Sequence, residues 1–156
     1  MELAFERAIE EPYSFLEKAL LAGPTEWLPK LAADAGDRLV SELGFGLAGA
    51  SIARPIQVDV TPATVYPGRC VICLSWKGAV TPVLYPELAG VLELVAVGSE
   101  RSRLSFEASY EPPARAFGRL VDRALMRRVA HASVSEFVDR VADALARGAR
   151  SRRQQS

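Results

Sequence analysis

Cys70 and Cys73 stand three residues apart, the spacing of a redox dithiol or of half a zinc site. A redox pair needs a helix N-terminus to lower its thiol pKa. Here the pair lies in the β-branched run Cys70-Val71-Ile72-Cys73, where residues three apart leave a strand on opposite faces. Zinc would need further thiol or imidazole ligands, and the only histidine is His131. The pair therefore reads as two free thiols, and no metal is expected. Gly44, Gly46 and Gly49 spell G-x-G-x-x-G. Phosphate binding by that motif needs a helix directly after it, whose N-terminus holds the anion. The next segment, Ala50 to Pro55, leads into another strand, so the glycines read as a tight bend. No cofactor is expected.

Other polar residues interrupt apolar faces. Arg7 falls on the strand face of Leu3, Phe5 and Ile9, and Arg54 interrupts the face of Ile52 and Ile56. A polar group facing inward needs a partner, and an arginine can take a carboxylate, phenolate or phosphate in a bidentate contact. The alternative is that both arginines lie near strand ends and reach water. Tyr110 closes an apolar strand face and either presents a phenol inward or packs against a helix start; Trp76 has the same two roles open. His131 lies four residues after Arg127 on a helix flank with no visible acid or nucleophile partner, so it reads as a solvated residue. No catalytic residue is assigned.

The elements that would position these residues emerge from periodicity. Residues 2–10 alternate as a half-buried strand, with Leu3, Phe5 and Ile9 opposite Glu2, Glu6 and Glu10. Two short helices come next, over 12–22 and 24–33, divided by Gly23-Pro24. Strands are expected at Leu39–Leu47, Ile52–Val60, Arg69–Lys77, Leu88–Val97 and Arg103–Tyr110, with short breaks at Pro62, Pro67-Gly68 and Gly98-Ser99. Such breaks favour antiparallel connections. Pro112-Pro113 ends the last strand, and an apolar stripe from Phe117 to Leu145 predicts one helix over 114–146, roughly 50 Å long at about 1.5 Å per residue. The remainder, 148–156, has no apolar stripe and reads as a disordered basic tail behind a single domain of residues 1–147.

Composition fits an ordinary globule: 49% apolar, 24% charged and net charge zero over 156 residues. That balance argues against a dedicated nucleic-acid partner, and no run is apolar enough for integral membrane association. The acidic start, Met1 to Glu6, lacks the basic residues of a secretory signal, which points to the cytoplasm. Residues 1–100 hold 13 acids and 7 bases, and residues 101–156 hold 6 and 12, so the two parts carry −6 and +6.

The order strand, two short helices, strands and a long helix resembles the SRPBCC (START-like, helix-grip) superfamily, which includes START lipid-transfer domains, birch-pollen-allergen-like proteins and polyketide cyclases. The matching residues are Arg54, Leu74-Ser75-Trp76, Leu84-Tyr85-Pro86-Glu87-Leu88, Glu93-Leu94, Arg103-Leu104-Ser105-Phe106, Tyr110-Glu111-Pro112-Pro113, Gly118, Asp122-Arg123 and Arg128-Val129-Ala130. Within the superfamily the chain is most similar to an uncharacterised bacterial branch. The resemblance implies an α+β helix-grip fold: a curved antiparallel sheet of six to seven strands around a long C-terminal helix. It also implies a cavity between helix and sheet that holds a hydrophobic small molecule.

Physical reasoning points the same way, since one helix covers only part of a concave sheet and a cavity or large side chains must fill the rest. The expected ligand-binding residues are Arg7, Phe45, Arg54, Ile56, Val58, Leu74, Trp76, Leu92, Phe106 and Tyr110. The leading expectation is a non-enzymatic binder of a small hydrophobic or amphipathic molecule, lipid-like or polyketide-like. Two alternatives stand beside it: a polyketide cyclase or dehydratase, which would need an acid–base pair in the cavity, and a protein-interaction module with a solid core.

Overall fold

The computed structural model describes residues 1–42, 56–78, 87–111 and 123–156. Strand β1 (Glu2–Ile9) leads to helices α1 (Tyr13–Leu21) and α2 (Pro24–Glu42). After them come β2 (Ile56–Val60), β3 (Thr64–Tyr66), β4 (Arg69–Gly78), β5 (Glu87–Ala96), β6 (Ser102–Glu111) and helix α3 (Arg123–Gln155). The strands form a curved antiparallel sheet in the order β1-β6-β5-β4-β2, with β3 also pairing with β4. This is the helix-grip architecture.

Alternation in the sequence becomes two faces of the sheet. In β6, Leu104, Phe106, Ala108 and Tyr110 are buried while Arg103, Glu107 and Ser109 are exposed. In β1, Leu3, Phe5 and Ile9 are buried and Glu2, Ala4 and Glu6 exposed. α3 lays Ala130, Val134, Phe137, Val141 and Leu145 over the inner face, spaced three and four apart as one helical stripe must be. Gly23, at φ +65°, ends α1, and Pro24 opens α2, where its missing N–H has no helical partner to lose. Pro67-Gly68 turns β3 into β4, with Gly68 at φ +69°. No helix among the described residues is long and apolar enough to cross a membrane.

Three expectations need correction. α2 does not stop at residue 33; it runs to Glu42, so the expected strand over Leu39–Leu47 begins as helix. Leu39 and Leu43 are four apart, a spacing that fits one helical turn as well as alternate strand positions. Leu28, Ala32 and Ala35, all buried, set the helical stripe that precedes Leu39. The expected tail at 148–156 is helical to Gln155. Small residues pack it instead of large ones: Ala149 is fully buried, and a Cβ on Gly148 would come 2.9 Å from the Ala19 Cβ of α1. The third correction is β3, three residues too short to show a period. The expected start of the long helix, residues 114–122, lies outside the described residues.

Candidate functional site

The strand register sorts the inner face into rows. Val58, Trp76, Leu88 and Tyr110 are consecutive cross-strand partners along β2, β4, β5 and β6. The next row holds Val60, Leu74, Gly90, Ala108 and Leu3, and the next Ile72, Leu92, Phe106 and Phe5. One row further, Cys70, Leu94, Leu104 and Arg7 align. Gly90 is the gap in this wall. A Cβ there would meet Phe106 Cζ at 2.5 Å, so the Phe106 ring lies across the strand where a side chain is missing. Phe137 of α3 presses on the same region, with ring centroids 5.4 Å from Phe106 and 6.0 Å from Trp76, both near edge-to-face.

Of the residues expected to line a site, Val58, Leu74, Trp76, Leu92, Phe106 and Tyr110 come together on the inner face. Ile56 opens β2 opposite Gly78. Phe45 and Arg54 lie outside the described residues. Arg7 is held elsewhere: its guanidinium pairs with Asp139 and donates to Ser135 Oγ at 2.8 Å, both on α3, and to the Glu6 carbonyl at 2.9 Å. It straps β1 to α3. Leu88 is absent from the expected set because only the register, not the alternation, places it between Trp76 and Tyr110. Phe137 is visible in the sequence as part of an apolar stripe, but spacing alone cannot show which rings it meets.

The row of Trp76 and Tyr110 has an unusual polar state. Trp76 is 2% exposed and Tyr110 fully buried, yet the indole Nε1 and the phenol oxygen have no hydrogen-bond partner among the described residues. Such groups are almost always paired in folded proteins, because an unpaired buried donor loses its water for nothing. Burial pushes the Tyr110 phenol up to about 12, so it stays protonated at ordinary pH. The phenol can donate or accept, whereas the indole only donates. The row sits beside the last described residues of β4 and β6 and the first of β5.

The two thiols diverge as expected: Cys70 is buried, Cys73 exposed, and both are free. Burial, with the Glu17 carboxylate nearby, pushes the Cys70 thiol up and away from thiolate chemistry. His131 is exposed and lies against Phe5, ring centroids 4.8 Å apart.

No family model and no curated protein sequence matches the chain. Solved structures do. A conserved protein from Geobacillus kaustophilus superposes with TM-score 0.54 at 14% identity, covering 94% of this chain and 96% of that one. Ara h 8.0201 gives TM-score 0.45 at 12% identity, with coverage of 97% and 98%. The Zhui aromatase/cyclase from a Streptomyces species gives 0.35 at 11%, with coverage of 96% and 90%. The likeness to the Geobacillus protein, at 14% identity, is one of fold.

Proposed function

We propose that the protein binds a small hydrophobic or amphipathic molecule, lipid-like or polyketide-like, between α3 and the inner face of the sheet, as a START-like protein. The observation that carries this reading is the pair of buried polar atoms on Trp76 and Tyr110 that have no partner among the described residues. An oxygen on an otherwise apolar ligand would accept from the indole N–H and pair with the phenol. The apolar walls would supply affinity at about 25 cal/mol per Å² buried, before the costs of association. A cyclase or dehydratase reading has less support. It needs a base facing the phenol, and the described strand residues that share the inner face with Tyr110 include no carboxylate and no imidazole.

Native mass spectrometry of freshly purified protein should find an additional small organic mass released on denaturation. Trp76→Phe and Tyr110→Phe, each checked for folding, should retain less of it. A protein that carries no such mass and binds neither a fatty acid nor a hydrophobic dye would defeat the proposal.

A further inference from the structure

The end of the sheet that carries the β3–β4 and β5–β6 turns exposes apolar side chains that the core does not use. Val65 is 51% exposed, Tyr66 47% and Val97 47%, the three highest exposures among the large apolar residues described. They are neighbours. Val65 and Tyr66 lead into the Pro67-Gly68 turn, and the Ala96 N–H donates to the Gly68 carbonyl at 3.0 Å, which sets Val97 beside that turn. Apolar residues scattered singly over a surface need no explanation, but three on adjoining turns do.

The last turns of α3 reach the same end, where Arg153 stands 3.6 Å from Glu100 of the β5–β6 turn. Both sheet turns, and α3 from Arg127 onward, lie wholly among the described residues. The carboxylates around the turns are held: Glu93 by Arg69, Glu10 by Arg101, and Glu11 and Glu100 by Arg153. Arg69 also lies over the Tyr66 ring, its guanidinium carbon 5.1 Å from the centroid. On α1, Glu17 and Lys18 offset each other, and on α3 Asp143 stands one turn before Arg147 and offsets it. Arg150 and Arg152 remain, with no carboxylate partner among the described residues; Arg152 donates to the Gly148 carbonyl and Arg150 is exposed. The surplus charge at this end is therefore positive.

We propose that this end is a docking surface for an anionic lipid bilayer, with Val65, Tyr66 and Val97 entering the interface and Arg150 and Arg152 meeting lipid phosphates. Tyrosine suits the headgroup level, where its ring finds apolar surroundings and its hydroxyl finds water. An arginine free of carboxylates can take a phosphate in a bidentate contact. A protein partner fits less well, because three side chains fall far short of the roughly 800 Å² per side that a stable protein interface buries. A bilayer needs no matching shape and rewards apolar insertion and diffuse charge together. The attachment is peripheral. It lies at the opposite end of the sheet from Trp76 and Tyr110, and does not rest on the ligand proposed for the inner face.

The test is co-sedimentation of the full chain with vesicles of phosphatidylcholine alone, and with equimolar phosphatidylcholine and phosphatidylserine. The protein should pellet with the mixed vesicles and far less with the neutral ones. A lipid carried off in the inner site stays with the protein in the supernatant, so pelleting reads attachment alone. Arg150→Gln should bind the mixed vesicles about fivefold more weakly at low salt, the scale of one arginine at an anionic surface, and the difference should fade as salt rises. Tyr66→Ser combined with Val97→Ser should remove most of the binding. Both side chains are half exposed, so this variant should melt at the temperature of the natural chain. No pelleting with mixed vesicles, or equal pelleting with neutral ones, would overturn the proposal. So would full binding by the folded double variant, or by Arg150→Gln at low salt. A dimer in vesicle-free buffer that the double variant dissolves would overturn it in favour of a face between copies.

Discussion

The two ends of the sheet under α3 are built on opposite principles. At the hairpin end close packing and ion pairs tie α3 to its neighbours, although the Tyr13 hydroxyl there is buried with no hydrogen-bond partner among the described residues. Gly148 lets α3 close on Ala19, Ala149 is buried, and Arg153 reaches Glu11 at 3.1 Å and Glu100 at 3.6 Å. Ser102 Oγ donates to the Glu11 carbonyl, closing the junction between β1 and α1. At the other end Trp76 and Tyr110 are buried as deeply, yet their polar atoms have no hydrogen-bond partner among the described residues. The ties of α3 named here lie at one end, and the polar atoms that the proposed ligand would engage lie at the other.

The comparison can be broken most forcefully at Gly148. Gly148→Leu should lower unfolding free energy by about 3 kcal/mol, read from a denaturant midpoint, because α1 and α3 must part to admit the side chain. An unchanged midpoint would mean the helices are not in close contact. Alkaline pH acts next. The Tyr110 phenol is raised from 10.0 to about 12 by burial, and Tyr13 is raised too, by burial first and then by Glu17. The unfolded chain loses these protons before the folded one does, so stability is full below pH 10 and falls as pH rises from 10 towards 12. Tyr110 accounts for about 2 kcal/mol of that fall. Tyr110→Phe should remove its share; a slope unchanged by the substitution would contradict deep burial.

Arg153→Ala tests the hairpin end more gently. Glu11, 7% exposed, would lose its guanidinium. Since Arg153 is half exposed, the loss should be about 1.5 kcal/mol rather than the larger figure for a fully buried pair. The smallest effect has the opposite sign. At neutral pH, Tyr110→Phe should stabilise the ligand-free protein by about 1 kcal/mol, as removing an unpaired buried hydroxyl does. Destabilisation would show that the phenol already has a partner.

Much of this is legible in the chain, and the reasons differ by element. Leu104, Phe106, Ala108 and Tyr110 alternate with exposed residues, so β6 and its inward face emerge from period two alone. Arg7 is readable as a polar residue on an inward face, but Asp139 lies 132 residues away and no local pattern points to it. The helical tail is invisible because Gly148 and Ala149 contribute by being small, which a search for large apolar residues passes over. Trp76 and Tyr110 can be named as candidates. That they share a row with Leu88 depends on how three strands align, which is fixed by tertiary pairing.

Phe106 lying over Gly90 has an evolutionary consequence. Neither position can change freely on its own: a side chain at 90 collides with the ring, and a smaller residue at 106 leaves a hole above the glycine. The accessible route runs through 106 first, with a side chain at 90 then filling the vacated volume. Among descendants of this sequence the two positions should covary, aromatic with glycine or aliphatic with alanine, although they lie 16 residues apart on neighbouring strands.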